Sequence, residues 1–237
     1  ADWKMTFIVL AILTGVSLVG AFLLQETLPV KERTQSSTIQ TILGLRKVAK
    51  NPNFSSLLLV GAFISAPFMA YLALASYIYI DGFGVSETAF SMYFASNAAA
   101  SILGPIMYMR FGAGSVKKVI NVGIIVAIIS ATLILLVGNV SPIIFLLSYV
   151  LYSIMTSYFR PLISDLLLSS TKTDIGAASS VMNFGYTVIG SIGMVVGSLQ
   201  WSSYTGGLGI TMLIFIAVTT IVWFCLLKAK SIQFDWK

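Results

Sequence analysis

The sequence predicts an all-α integral membrane protein with seven transmembrane helices, and three observations carry that prediction. The 237 residues are 57% hydrophobic and 9% charged, against about a quarter charged in an average soluble domain. The mean hydropathy is correspondingly high, at +0.95. Seven stretches reach the roughly 20 predominantly apolar residues that a helix needs to cross hydrocarbon. They show no ten-residue alternation of apolar and polar positions, so their backbone groups must be satisfied as helices and not as a closed barrel.

In chain order, the first span runs from Met5 to Leu24 and is apolar all round. A connection from Gln25 to Asn53 follows, and it is unlike the other, shorter ones. It contains a segment from about Ser37 to Lys50 with a Ser37 or Thr38 cap, apolar Ile39, Ile42 and Leu43, and basic Arg46, Lys47 and Lys50. That pattern fits an interfacial helix ended by Pro52; a solvated basic linker fits it equally. The second span, Phe54 to Ile80, holds Pro67 at mid-length, where the missing N–H predicts a kink. Phe68, Met69 and Tyr71 follow it directly.

The third span, Glu87 to Met109, reads as one helix. Phe90, Phe94, Asn97, Ser101, Gly104 and Tyr108 recur on it at steps of three or four, which is a single face. Asn97 is an amide in hydrocarbon, so it bonds across to another helix or faces a wet cavity. Ala95, Ala98, Ala99 and Ala100 read as a packing face. The fourth span is Val119 to Gly138. The fifth is Pro142 to Phe159, with an extension to about Leu168, and carries Ser148, Tyr152, Thr156 and Phe159 on one face. The sixth, Ile175 to Leu199, carries Asn183, Thr187, Gly190, Met194 and Gly197. Its Gly193 and Gly197 form a small-xxx-small pair, and with Gly185 and Gly190 they suit close approach of a neighbouring helix. Gly207 to Leu227 is the seventh span.

The formal charge is +6, from 14 basic and 8 acidic residues. Its distribution decides its meaning. Basic residues sit in alternate connections: Lys31, Arg33, Arg46, Lys47 and Lys50; then Arg110, Lys117 and Lys118; then Arg160 and Lys172; then Lys228, Lys230 and Lys237. Only Lys4 falls on the opposite side. Cytoplasmic loops hold such an excess, so the N-terminus is expected outside and the C-terminus in the cytosol. The charge reflects topology and implies no nucleic-acid partner. With no histidine and the single Cys225, the chain also lacks the usual means of metal binding and acid–base catalysis, so neither an enzyme nor a cofactor is expected.

One helix, a long basic loop and six further helices is the order from the sixth helix onward in a twelve-helix transporter of two related halves. Local motifs strengthen the likeness. Asp2-Trp3-Lys4 and the closing Gln25-Glu26-Thr27-Leu28-Pro29 resemble the sixth helix of drug exporters. Phe83-Gly84-Val85-Ser86-Glu87-Thr88-Ala89-Phe90, running into Ser96-Asn97-Ala98 and Leu103-Gly104, resembles the seventh-to-eighth helix region of Bcr/CflA drug-resistance transporters of the major facilitator type. Gly176-Ala177-Ala178-Ser179-Ser180-Val181-Met182-Asn183 is similar to the opening of their eleventh helix. The loop at Met109-Arg110-Phe111-Gly112 departs from the superfamily's pattern, having no acidic partner for its bases.

The resemblance implies four segments: residues 1–28, the last helix of an N-terminal half; 29–53, the cytoplasmic loop between halves; 54–230, a C-terminal six-helix bundle; and 231–237, a cytoplasmic tail. It implies alternating-access efflux of amphipathic drug-like solutes across the bacterial inner membrane, coupled to protons, with the N-terminal half missing from this chain. A metabolite transporter of the same type and a seven-helix receptor-like protein remain as alternatives. The retinal-binding form of the latter needs a lysine in the last span, which has none. The candidate solute-binding residues are Phe68, Met69, Tyr71, Phe94, Asn97, Ser101, Tyr152, Asn183 and Thr187. Pro67, Arg160 and Asp165 are candidates for gating or coupling, against a bland alternative in which Arg160 snorkels to headgroups and Asp165 reaches water.

Overall fold

A computed structural model describes residues 3–24, 38–112, 114–170 and 175–228. The described elements are all helical: α1 (Trp3–Leu23), α2 (Thr38–Ala49), α3 (Pro52–Ser76) continued by a π-helical turn (Tyr77–Gly82), α4 (Glu87–Ser101), α5 (Leu103–Phe111), α6 (Val116–Val137), α7 (Pro142–Ser169), α8 (Ile175–Gly197) and α9 (Tyr204–Lys228). Six helical segments are long and apolar enough to cross a membrane, and the chain is an all-α membrane protein. The Ser37 cap, the Gln25-Glu26-Thr27-Leu28-Pro29 segment, Asp2, Lys31, Arg33, Lys172, Lys230 and Lys237 lie outside the described residues, as do the side chains of Ile39 and Ile42.

The chain falls into two units, Ala1–Gln40 and Thr41–Lys237. The first contains α1, whose Thr14 and Ser17 hydroxyls donate back to the carbonyls of Leu10 and Leu13, so that neither proton is left unpaired in an apolar stretch. The second unit holds the candidate site. Several of its helices start where the sequence supplies an oxygen cap. Asn51 Oδ1 accepts from the N–H groups of Asn53 and Phe54, with Pro52 in the first turn of α3. Ser86 caps α4 through the Ala89 N–H, and Ser141 caps α7 through the Ile144 N–H with Pro142 behind it. Pro52 therefore opens α3, and α2 has already ended at Ala49.

The expected single third helix is corrected. It is divided at Ile102 into α4 and α5, of 15 and 9 residues. The cause is Pro105, which has no N–H to give the Ser101 carbonyl four residues earlier and whose ring crowds it. Pro67 does not have this effect: α3 continues through it as one helix, and Pro67 is buried.

α3 and α8 form a close seam of parallel helices. Gly185 faces Leu58, Gly193 faces Ala66 and Gly197 faces Ala70, a constant offset along both chains. A Cβ at Gly193 would lie 2.5 Å from the Ala66 carbonyl oxygen, so only glycine allows this approach. The expectation that these glycines serve packing matches this geometry. Gly104 plays the same part between α5 and α7, where a Cβ would come within 2.6 Å of the Ile154 carbonyl oxygen and the Tyr158 nitrogen. The alanines of α4 do otherwise: Ala95, Ala98 and Ala99 are exposed, which corrects their reading as a packing face.

The core is aromatic. Tyr71, Tyr79, Phe145, Tyr149, Tyr152, Phe159 and Trp223 are fully buried. The Tyr71 and Tyr149 rings stack at 4.0 Å between centroids, with Phe94 6.0 Å from Tyr71. Interhelical hydrogen bonds pin the rest. The Ser130 hydroxyl donates to the Ser148 carbonyl at 2.6 Å, the Trp223 indole N–H to Asn121 Oδ1 at 2.8 Å, and the Tyr158 hydroxyl to the Gly112 carbonyl at 2.6 Å.

Candidate functional site

A cavity of about 100 Å³ opens where α3, α7 and α8 meet. From α3 come Ser65, Phe68 and Met69, and from α7 come Thr156, Ser157 and Arg160. Asn183, Tyr186 and Thr187 of α8 close it. At 1.5 Å per residue, Ser65, Thr156 and Thr187 each lie about 15 to 20 Å from the nearer end of their helix, near its middle. Ser65 and Met69 share a face of α3 at a four-residue step, as do Thr156 and Arg160 on α7, and Asn183 and Thr187 on α8.

Three hydroxyl protons in this wall are already committed, while the Tyr186 hydroxyl has no hydrogen-bond partner. Ser65 donates to the Gly61 carbonyl, Thr156 to Tyr152 and Thr187 to Asn183, each at 2.8 Å. Their oxygens keep lone pairs free to accept. Arg160 is the one ionisable residue among the lining groups other than Tyr186, and its guanidinium carbon lies 5.7 Å from the Tyr186 ring centroid. The cavity thus joins an apolar floor of Phe68 and Met69, three acceptor oxygens, the Asn183 amide, the hydroxyls of Ser157 and Tyr186, and one cation.

Five of the twelve residues singled out in the sequence meet here: Phe68, Met69, Asn183, Thr187 and Arg160. Ser65, Ser157 and Tyr186 were not singled out. The signal for Tyr186 was present, since it sits between Asn183 and Thr187; Ser65 is four residues before Met69. The other candidates lie apart from the cavity lining. Tyr71 and Phe94 belong to the aromatic core, and Tyr152 is buried with its hydroxyl donating to the Ile64 carbonyl. Ser101 donates to the Ala98 carbonyl at 2.7 Å within its own helix. Asn97 is buried and its Oδ1 has no hydrogen-bond partner.

Two expected faces split. On α7, Ser148, Tyr152 and Phe159 are buried, and Thr156 lines the cavity. On α8, Asn183 and Thr187 line it, whereas Gly190 and Gly197 pack on α3. Asp165 accepts from the Tyr108 hydroxyl at 3.1 Å, tying α7 to α5. Arg160, two and a half turns inside α7, borders the cavity with its guanidinium beside the Tyr186 ring.

A larger groove of about 430 Å³ runs between α5, α6 and α7, lined by Met107, Val122, Val126, Leu151 and Ile154 among others. Apart from Lys118 and Tyr158 its wall is hydrocarbon, which has little means of orienting a polar solute.

A half-polar cavity among mid-depth helix faces is the form of a transport site, and comparison with known proteins gives the class. The sequence profile of the Major Facilitator Superfamily matches residues 1–194. The chain belongs to the major facilitator superfamily. It is also 28% identical, over 197 residues, to a Bacillus subtilis (strain 168) protein described as an uncharacterized MFS-type transporter, YdgK. That alignment covers 81% of this chain and 49% of the relative, so the chain spans about half the length of the curated relative it matches. Membership of the superfamily agrees with the long apolar helices, which place the chain in a lipid bilayer.

Proposed function

We propose that this chain supplies the sixth to twelfth helices of a Bcr/CflA-type exporter, which moves amphipathic drug-like solutes out through the bacterial inner membrane by alternating access with proton antiport. The carrying observation is the cavity between α3, α7 and α8, which sets Phe68 and Met69 opposite Asn183 and Thr187. Rings and a thioether adapt to varied apolar bodies, while an amide and hydroxyl oxygens orient them. Solute binds there at mid-depth, where the two halves of such a transporter meet. Pro67 and Asp165 stay in this reading as gating elements, beside the cavity wall and at the α5–α7 contact.

Resistance profiles of the intact transporter test it, with membrane abundance measured in parallel. Phe68→Ala and Asn183→Ala are expected to change the ranking among several drugs at normal abundance, because removing one contact affects solutes unequally. Asn97→Ala and Ser101→Ala are expected to do the same if a wetter state of the transporter exposes the α4 stripe. An unaltered ranking for Phe68→Ala and Asn183→Ala would sink the cavity as the site.

The orientation belongs to the same proposal: the 25–53 connection and the tail from Lys228 are cytoplasmic, and Asp81 to Ser86 is external, following the basic residues. On a Cys225→Ser background, Gly84→Cys should react with a membrane-impermeant thiol reagent in intact cells. Reaction only after permeabilisation would invert the topology.

A further inference from the structure

We infer that the solute carries an acidic group, which docks on Arg160; this rests on the cavity being the transport site. The argument starts from what Arg160 lacks. Among the described residues it forms no ion pair and no hydrogen bond, and its one described interaction is the face of the Tyr186 ring, 5.7 Å away. A ring face attracts the guanidinium without using its five N–H donors. Those donors remain available at the cavity, in a planar fork matched to a carboxylate or a similar oxyanion.

The remaining lining groups define what surrounds that acid. The hydroxyls of Ser65, Thr156 and Thr187 have given their protons to their own helices, so they offer only lone pairs. An N–H or O–H neighbouring the acid on the solute would be received there, while the Asn183 amide and the unpartnered Tyr186 hydroxyl can donate to a further oxygen of the solute. Phe68 and Met69 take an apolar portion. About 100 Å³ is well short of the roughly 300 Å³ at which whole-ligand sites begin, so this wall holds the head of the solute and not its whole body. An organic cation would bring like charge against Arg160. Within the broad class of amphipathic drugs, the wall therefore selects acids such as N-acylated or hydroxylated carboxylates.

Two xanthene dyes of similar body and opposite charge serve as probes: fluorescein, a carboxylate anion, and rhodamine 6G, an esterified cation. Binding to the purified intact transporter is followed by fluorescence anisotropy at mildly alkaline pH. The native protein is expected to bind fluorescein more tightly. Arg160→Gln should weaken fluorescein at least tenfold and leave rhodamine 6G unchanged or tighter, while Arg160→Lys, which keeps charge without the fork, should fall between. Size-exclusion profiles confirm that both variants remain folded. Preference of the native protein for rhodamine 6G, binding of neither dye, or fluorescein affinity within twofold of native in Arg160→Gln would overturn the inference. Phe68→Ala and Asn183→Ala separate the two levels. If they weaken both dyes while Arg160→Gln discriminates nothing, only the charge preference fails; if they too leave both dyes unaffected, the cavity reading fails with it.

Discussion

Gly193→Leu is expected to destabilise the bundle by about 1 to 3 kcal/mol, the usual range for overpacking a filled interior. At Gly193 even a single Cβ would stand 2.5 Å from the carbonyl oxygen of Ala66 and 2.9 Å from its carbon, and these are backbone atoms that cannot rotate away. The helices must separate. In hydrocarbon no hydrophobic effect holds them together, so lost van der Waals contact is lost association. Denaturation in graded detergent mixtures, with membrane abundance, measures the effect. Gly206→Ala is the control, since the only close neighbour of its Cβ within 3 Å is the rotatable hydroxyl of Ser203. Equal midpoints for Gly193→Leu and the native protein would show that α3 and α8 do not depend on this contact.

Tyr71→Ala should be comparably damaging, for the opposite reason. Tyr71 is fully buried, stacked at 4.0 Å on Tyr149 and at 6.0 Å on Phe94. Truncation leaves a void on the order of 100 Å³, and at about 24 cal/mol per Å³ the cavity alone costs roughly 2 kcal/mol. Tyr71→Phe distinguishes ring from hydroxyl. The hydroxyl makes no hydrogen bond of good geometry and lies near the Tyr79 hydroxyl, so its removal should cost little. A large loss of stability in Tyr71→Phe would mean that a water or a neighbour satisfies the hydroxyl. A changed drug ranking at native stability would return Tyr71 to the solute-binding residues.

These variants mark where sequence reasoning reached and where it stopped. Span positions were legible to within a few residues, because a continuous apolar run admits one structure in hydrocarbon and because Asn51, Ser86 and Ser141 announce helix starts. The break at Ile102 was equally written, in Pro105, but the regular stripe from Phe90 to Tyr108 drew attention to periodicity and away from the missing N–H. The π-helical turn at Tyr77–Gly82 has no such signature in its residues.

Faces were harder than spans. A helix in this bundle has neighbours on several sides, so a polar stripe can change partners along its length: Asn183 and Thr187 meet the cavity, and Gly190 one turn on meets Met69. Spacing within one helix gives the stripe but not the partner. Tyr71 and Phe68 are three residues apart, and one packs in the core while the other lines the cavity. Arg160 and Asp165 show the same limit. Both were placed near an interface by sequence distance, yet one borders the cavity beside Tyr186 and the other bonds Tyr108.

The seam between α3 and α8 has a mechanical consequence. Contact at Gly193 is made by main-chain atoms, and contact at Gly197 by the Cβ of Ala70, so the seam is closest there, while the Leu58 and Met69 side chains fill it at Gly185 and Gly190. Such a joint has little slack. A tilt imposed on either helix is passed to the other mainly through the main-chain contact at Gly193, so Phe68, Met69, Asn183 and Thr187 travel together as a single plate. α7 meets that plate through longer members, with the Tyr152 phenol reaching the Ile64 carbonyl and the Arg160 guanidinium reaching the Tyr186 ring. Compliance is therefore concentrated on one side of the cavity, and the separation between the plate and Arg160 is the dimension that a change of shape can vary at least expense.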